Sequence, residues 1–306
     1  MTTTKQPLPI RSRIIPPLRL ILTSKCNGYC EYCHHEGYAK NAIFMSRSAV
    51  LECAKIANEL MIPTISFTGG EPTLYADLPT LIMDVQKVYK GNIGITTNGY
   101  QLDDICNIST PIHMINLSLS SFNIDVYKRY QNVNPTTALK SLERFPAEHK
   151  KLNIVVTADN YIEIDKIIDY CVTKYISIDV MFELKEYSNK DIEMQKYIFS
   201  MVSIYGESFI QFGVTSTIII KVNDKCIISL KHPVLSRMLK RHVCSICEFS
   251  SECYERICAV RVHPDNLVTA CLNKKYSFSE GKISDRIKTA YSLFHNDCES
   301  LESLLC

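Results

Sequence analysis

Between residues 18 and 184 the sequence switches its hydrophobic period repeatedly, short β-rich runs alternating with stretches of helical spacing. The β-rich runs fall at 19–23, 64–68, 93–97, 113–120, 152–157 and 176–183. Helical patterns fall at 46–60, 78–89, 125–131, 136–145 and 162–173, with Ser46 and Asp77 placed as N-caps. Strands separated by helices pair in parallel through right-handed crossovers, so the expected class is α/β. The supply of strands ends near residue 184, which predicts an open, partial (β/α)6 TIM-like barrel rather than a closed eightfold one. In such folds ligands collect beyond the carboxyl ends of the strands, and each polar motif of this chain falls at such an end.

Past that point the character changes. A polar stretch, 185–193, leads into a helix, β-like runs at 209–214 and 217–222, clustered cysteines and a helical tail near 284–305. The expected division is a loose arm over 1–17, the partial barrel over 18–190, and a small α+β cap with its tail over 191–306. No apolar run approaches the roughly 20 residues of a membrane span, and residues 1–13 lack a signal-peptide apolar region. A net charge of +2 gives no general affinity for polyanions. The expectation is a cytoplasmic protein with neither nucleic-acid polymer nor membrane as partner.

Fourteen cysteines are many for a reducing compartment, where such density reads as metal ligation. Cys53, Cys106, Cys171 and Cys226 sit singly among apolar neighbours and read as core. Cys26, Cys30 and Cys33 form a C-x3-C-x2-C loop directly after the first strand. Three thiolates on one short loop suit three corners of a [4Fe-4S] cubane, whose usual set is four cysteines. The remaining iron is then an open coordination site. Gly28 allows the loop to turn tightly, and Tyr32 can shield the cluster from water. His34, His35 and Glu36 follow at once, either as donors to a cluster sulfur or as a solvated loop. Zinc and unconnected thiols are the alternatives.

Further motifs end the next strands. Gly69-Gly70-Glu71-Pro72 closes the second, where paired glycines admit close backbone approach and Glu71 offers an acceptor for an ammonium group. Thr96-Thr97-Asn98-Gly99 closes the third, and Asn116-Leu117-Ser118-Leu119-Ser120 makes up the fourth. Their hydroxyls can bond a carboxylate and a ribose, or cap the helices that follow.

The cysteine spacing, with Tyr32 just before its last member, resembles the signature of the radical S-adenosylmethionine (SAM) superfamily. The resemblance implies that SAM chelates the open iron and is cleaved by reduction to methionine and a 5′-deoxyadenosyl radical. It also implies that Tyr32, Gly69, Gly70, Glu71, Thr97, Asn98 and Ser118 surround SAM. Within the superfamily, the Cys loop running into His34-His35-Glu36-Gly37, together with Thr68-Gly-Gly-Glu-Pro-Thr73, Thr96–Gly99, Asn116–Leu119, Leu152–Val156 and Arg261–Leu272, is similar to the GTP 3′,8-cyclase family of molybdenum cofactor biosynthesis. In that family an arginine seven residues before the first cysteine, and arginines of a C-terminal hairpin, bind the nucleotide. Arg19 and Arg261 match two of those positions. A small anionic, nucleotide-like substrate and a flavodoxin or ferredoxin as electron donor are therefore expected.

The chain departs from that family at defined places. Ala259-Val260 stands between Cys258 and Arg261 where a further arginine belongs, the sixth strand reads Ile178 to Leu184 without the family's arginine and methionine, and the sequence given ends Leu304-Leu305-Cys306 rather than Gly-Gly. A diverged relative with another substrate is the expectation. A second group, Cys244, Cys247, Cys253, Cys258 and Cys271, reads as an auxiliary [4Fe-4S] cluster, with zinc as the alternative. In the cyclase register Cys258 and Cys271 flank the hairpin, with Cys253 or the 244/247 pair completing the set. In the register of peptide-modifying radical SAM enzymes the ligands are Cys244, Cys247, Cys253 and Cys271. Five cysteines predict full protein ligation, hence an electron relay or a structural staple. A peptide-modifying enzyme, and a non-catalytic zinc-binding module, are the other functions considered. The short stretch ahead of the first strand leads us to expect no leader-binding domain.

Overall fold

The computed structural model describes residues 15–33, 42–131, 133–183, 188–211, 217–231, 244, 246–248, 250, 259–272 and 276–304. Six strands form in chain order: β1 (Leu18–Thr23), β2 (Thr64–Gly69), β3 (Asn92–Thr97), β4 (Ile112–Ser118), β5 (Ala147–Val156) and β6 (Ser177–Phe182). Each pairs in parallel with the next. The crossovers carry α1 (Arg47–Glu59), α2 (Leu78–Val88), α3 (Ile124–Tyr130), α4 (Pro135–Arg144) and α5 (Ile164–Lys174).

Local chemistry sets the helix starts. Ser46 Oγ accepts from Ala49 N at 3.2 Å, and Asn134 caps α4 ahead of Pro135 at its first position. Asp77 occupies the expected N-cap position by a different geometry. It stands ahead of α2 with a left-handed φ of 57°, and its carbonyl accepts from Leu81 N at 3.1 Å, but its side chain makes no capping bond to the backbone of that helix. Its carboxylate accepts instead from the Thr80 hydroxyl at 2.5 Å.

Alternation along the strands separates two faces. Leu18, Leu20, Leu22, Ile65, Phe67, Ile115, Leu117, Leu152, Ile154, Ile178 and Val180 turn to one side and form the core with Val50, Ala54, Leu81, Val85, Leu142 and Ile168 of the helices. Full burial of each such leucine, isoleucine, valine or phenylalanine contributes about 1.5–3 kcal/mol. The intervening positions form the other, polar face: Arg19, Ser66, Thr96, Asn116, Ser118, Lys151, Asn153 and Asp179. Cys53 and Cys171 belong to the core, and Cys226 is buried beside β6, bonded to Ile176 O at 3.3 Å. Half-buried Cys106 packs at the core's edge.

The residues past 190 extend this same sheet on both flanks. After α6 (Asn189–Val202), the strands β7 (Glu207–Gln211), β8 (Thr217–Lys221) and β9 (Ile227–Lys231) form an antiparallel meander whose last member lies parallel to β6. On the opposite flank β10 (Val260–Val262) lies parallel to β1, followed by the antiparallel β11 (Val268–Thr269) and β12 (Ser277–Phe278). The order is β12-β11-β10-β1-β2-β3-β4-β5-β6-β9-β8-β7, twelve strands in one sheet. Two parallel strands beyond the expected six thus come from the C-terminal part of the chain. The final helix α7 (Ile283–Leu304) returns to the start of β1, where the buried Tyr291 hydroxyl donates to Pro16 O at 2.9 Å. Among the described residues no helix is long and apolar enough to cross a membrane.

Candidate functional site

The carboxyl ends of β1, β2 and β3 are bound together by their own loops. Gly70 N donates to Thr23 O and Glu71 N donates to Lys25 O, each at 2.8 Å. The glycines make this approach possible. Gly69 has φ +146°, and a Cβ there would lie 2.4 Å from Thr23 O, while one on Gly70 would lie 2.1 Å from Lys25 O. The close contact that the paired glycines permit is with the chain segment entering Cys26.

Glu71 braces the same region. It is 1% exposed. Its Oε1 accepts from Thr73 N at 3.0 Å, the Thr73 hydroxyl at 2.8 Å and the Thr97 hydroxyl at 2.6 Å, and its Oε2 from Asn98 N at 2.7 Å. Burial raises its carboxyl above the usual range, and these donors oppose the rise. A carboxylate has about four lone-pair sites, so the acceptor read from sequence as an ammonium partner is engaged by the protein itself. The Thr97 hydroxyl is engaged likewise, donating to Glu71 and accepting from Gly99 N at 2.9 Å. Asn98 carries the brace onward: its Nδ2 donates to Asn27 Oδ1 at 2.9 Å, in the middle of the cysteine loop.

The other side of that loop rests on the end of α3. Tyr29 N donates to Tyr130 O at 2.8 Å, and the Cys30 thiol donates to the same carbonyl at 3.2 Å. The ring of half-buried Tyr32 lies 5.3 Å from that of Tyr130. Tyr130 is fixed in turn by its hydroxyl, which donates to Asp159 at 2.8 Å, and Asp159 pairs with Arg129 at 3.2 Å. Gly28 N donates to Cys26 Sγ at 3.3 Å.

Held this way, the three thiols act on one another. Burial pushes Cys30 up to about 12, with the charges of Cys33 and Cys26 adding to the rise. Cys26 is raised by burial, and the Gly28 N–H opposes it. A metal bound by such thiols reverses that balance and holds them deprotonated. Asn27 Nδ2, in the same loop, is buried without a hydrogen-bond partner among the described residues. Three thiols on one loop and an orphan donor are of the right chemistry for an anionic iron–sulfur cluster with a ligand on its open iron.

The remaining predicted residues fall in two groups. Arg19 and Arg261 are direct register partners on the polar face of β1 and β10, with Arg261 1% exposed and donating to Ala259 O at 3.3 Å. Ser118 ends β4 beside Asn153, and its carbonyl accepts from Gln131 Nε2 at 3.0 Å. Cys244 and Cys271 are buried and Cys247 is half-buried, Cys271 following β11 closely. Cys253, Cys258, His34, His35 and Glu36 lie outside the described residues.

Sequence reasoning named Asn116 within its motif without giving it a role, and assigned none to Lys151, Asn153 or Asp179. Asn116 Oδ1 and Asn153 Oδ1 are buried without hydrogen-bond partners among the described residues, and Lys151 pairs with Asp179 at 3.3 Å. For Lys151 and Asn153 the signal was the period-two pattern of β5, where they alternate with Leu152 and Ile154. Tyr130 acts through its carbonyl and left no such signal.

Comparison with known proteins gives a consistent result. Residues 20–171 match the family model described as the Radical SAM superfamily. A Sulfolobus acidocaldarius protein named probable GTP 3′,8-cyclase is 30% identical over 181 residues, covering 57% of this chain and 58% of the relative. A Methanococcus aeolicus protein of the same name is 28% identical over 207 residues, covering 65% and 68%. The chain thus spans little more than half of the first relative's length. Among solved structures, Streptococcus suis SuiB bound to precursor peptide SuiA has a TM-score of 0.62 at 15% identity, covering 88% of this chain and 63% of that one. Native anSMEcpe with bound AdoMet has a TM-score of 0.56 at 17% identity, covering 92% and 83%. These two likenesses establish the fold.

Proposed function

The chain belongs to the radical SAM superfamily through residues 20–171, and from that premise we propose that it is an enzyme removing a hydrogen atom from a small anionic, nucleotide-like substrate. The observation carrying the substrate class is the register pairing of Arg19 with Arg261 on the polar face of the sheet. Guanidinium groups fork onto phosphate oxygens in pairs. The names of the Sulfolobus and Methanococcus relatives support the same class.

In this reading Cys26, Cys30 and Cys33 hold a [4Fe-4S] cluster, and SAM lies against the ends of β2 to β4. Once bound, cluster and SAM together supply a 5′-deoxyadenosyl radical. The chain's own residues position and protect. Gly69 and Gly70 keep the loop after β2 against the cysteine loop, and Glu71, Thr97 and Asn98 fix both to the end of β3. Asn27 Nδ2 offers a hydrogen bond to the cluster or its ligand. Tyr32 covers the cysteine loop on the side of Tyr130. Arg19 and Arg261 orient the substrate's anionic group, while Asn116 and Asn153 present acceptors to its donors.

Cys244, Cys247 and Cys271, with Cys253 or Cys258, hold an auxiliary [4Fe-4S] cluster that relays electrons or staples the flank of β10 and β11. The reductant is a flavodoxin or ferredoxin of the cytoplasm. Because Ala259-Val260 replaces a hairpin arginine, the substrate is a nucleotide or nucleoside derivative other than the one the cyclases' name specifies.

A peptide substrate is the second reading, favoured by the Cys244-x2-Cys247-x5-Cys253 spacing and by the peptide named with SuiB. Anaerobic reconstitution followed by incubation with SAM, dithionite and a nucleotide panel separates the two. Release of 5′-deoxyadenosine is expected to rise above the uncoupled background with a phosphorylated nucleoside. A flat response to the panel, with stimulation by a short peptide, would transfer the assignment. Colourless protein that binds zinc would end the enzyme reading altogether.

A further inference from the structure

A second group of metal-ligating side chains lies at the opposite end of the sheet. His113 stands near the start of β4, and Glu148 and His149 near the start of β5, where the ladder pairs Ile112 with Ala147 and Met114 with His149. The cysteine loop borders the far ends of these strands. Five residue steps along the strand take the chain from His113 to Ser118, roughly 16 Å. This group therefore belongs to a different part of the molecule from the site above.

One donor atom from each of His113, Glu148 and His149 lies within 4.8 Å of the others. His113 Nδ1 is 2.9 Å from Glu148 Oε2. The His113 and His149 rings meet edge to face at 4.8 Å between centroids. A single histidine–glutamate contact needs no second imidazole, yet here a donor nitrogen of a second one lies within 4.8 Å of both partners. Two imidazole nitrogens and a carboxylate oxygen make a mixed nitrogen–oxygen donor set. Nearby cations are turned elsewhere: Lys150 donates to Glu143 O, and Lys151 pairs with Asp179.

We infer that His113, Glu148 and His149 form a site for a divalent transition metal of borderline softness, zinc being the representative ion. Two imidazole nitrogens and one carboxylate oxygen suit zinc, nickel or copper better than the all-oxygen preference of magnesium or calcium. Tetrahedral coordination at about 2.0–2.2 Å places neighbouring donors roughly 3.3 Å apart. The His113–Glu148 contact opens by a few tenths of an ångström to reach that spacing, and exposed His149 turns inward at the surface. A water completes the fourth position. The bound ion ties the amino ends of β4 and β5 together, remote from the radical chemistry.

The test uses the full chain with its thiols filled by anaerobic iron–sulfur reconstitution, dialysed to equilibrium against micromolar zinc chloride. One zinc per chain is expected beyond the iron, with an X-ray absorption shell of nitrogen and oxygen at about 2.0 Å and no sulfur at about 2.3 Å. Affinity is expected to fall about tenfold or more in His149→Ala and in Glu148→Gln, with iron content and melting temperature of the zinc-free protein unchanged. His149 and Glu148 are exposed, so both variants test binding rather than folding. Sulfur in the zinc shell, equal affinity in the variants, or folded wild-type protein that takes up no zinc would each overturn the site.

Discussion

Arg19 on β1 and Arg261 on β10 face each other across one parallel ladder, although they come from opposite ends of the chain. Neighbouring pairs Leu18–Val260 and Leu20–Val262 lie on the helix-covered face, so the alternation of the strands delivers both guanidiniums to the polar one.

Arg261→Lys keeps the charge and removes the fork. Loss of charge-assisted hydrogen bonds of about 1.5–3 kcal/mol corresponds to a fall of about ten- to a hundredfold in kcat/KM. Uncoupled 5′-deoxyadenosine release without substrate is expected to persist. Steady-state kinetics beside that background measure the difference, and an equal loss in both would assign Arg261 to cluster or SAM binding.

Gly70→Ala places a methyl group where Lys25 O now stands. Overpacking of this kind costs about 3 kcal/mol, and here it separates the loop after β2 from the segment entering Cys26. Reconstituted iron per chain is expected to drop while circular dichroism shows the sheet intact. Normal iron content in this variant would mean that the two loops hold their geometry independently.

Glu71→Gln leaves four donors facing an amide that can accept from only part of them. A loss of about 1–3 kcal/mol in urea unfolding is expected, together with weaker retention of the first cluster, since Asn98 connects the brace to Asn27. Unchanged stability would remove Glu71 from its bracing role.

Glu143 gives a pH test remote from the cysteines. It accepts from the Tyr170 hydroxyl at 2.6 Å and from Lys174 at 3.1 Å, joining α4 to α5, and the Tyr170 bond chiefly holds its carboxyl below the usual range. A depressed carboxyl stabilises the folded state above the ordinary glutamate value of about 4.3. That contribution is lost as pH falls through the lowered value. Glu143→Gln is therefore expected to cost about 0.5–1.5 kcal/mol at neutral pH, and the difference from wild type should vanish in acid. Denaturant unfolding at the two conditions reads it directly.

The alternation of β-rich and helical segments determined most of the six parallel strands, because burial on one face enforces period two and a parallel pair needs a crossover, α-helical everywhere but between β3 and β4. Cys26, Cys30 and Cys33 were legible for a similar reason: adjacent positions on one short loop cannot separate far. What only the tertiary structure decided were the pairings between distant segments. Long-range ladders brought Arg261 beside Arg19 and added β9 next to β6, and packing put the Tyr130 carbonyl under Cys30. Glu71 shows the same division within one residue. Its position at the end of β2 followed from local pattern, but that its oxygens face Thr73, Thr97 and Asn98 depended on how closely two glycines let neighbouring strand ends approach. Local sequence carries periodicity and spacing, whereas contacts between remote segments arise only once the core has closed.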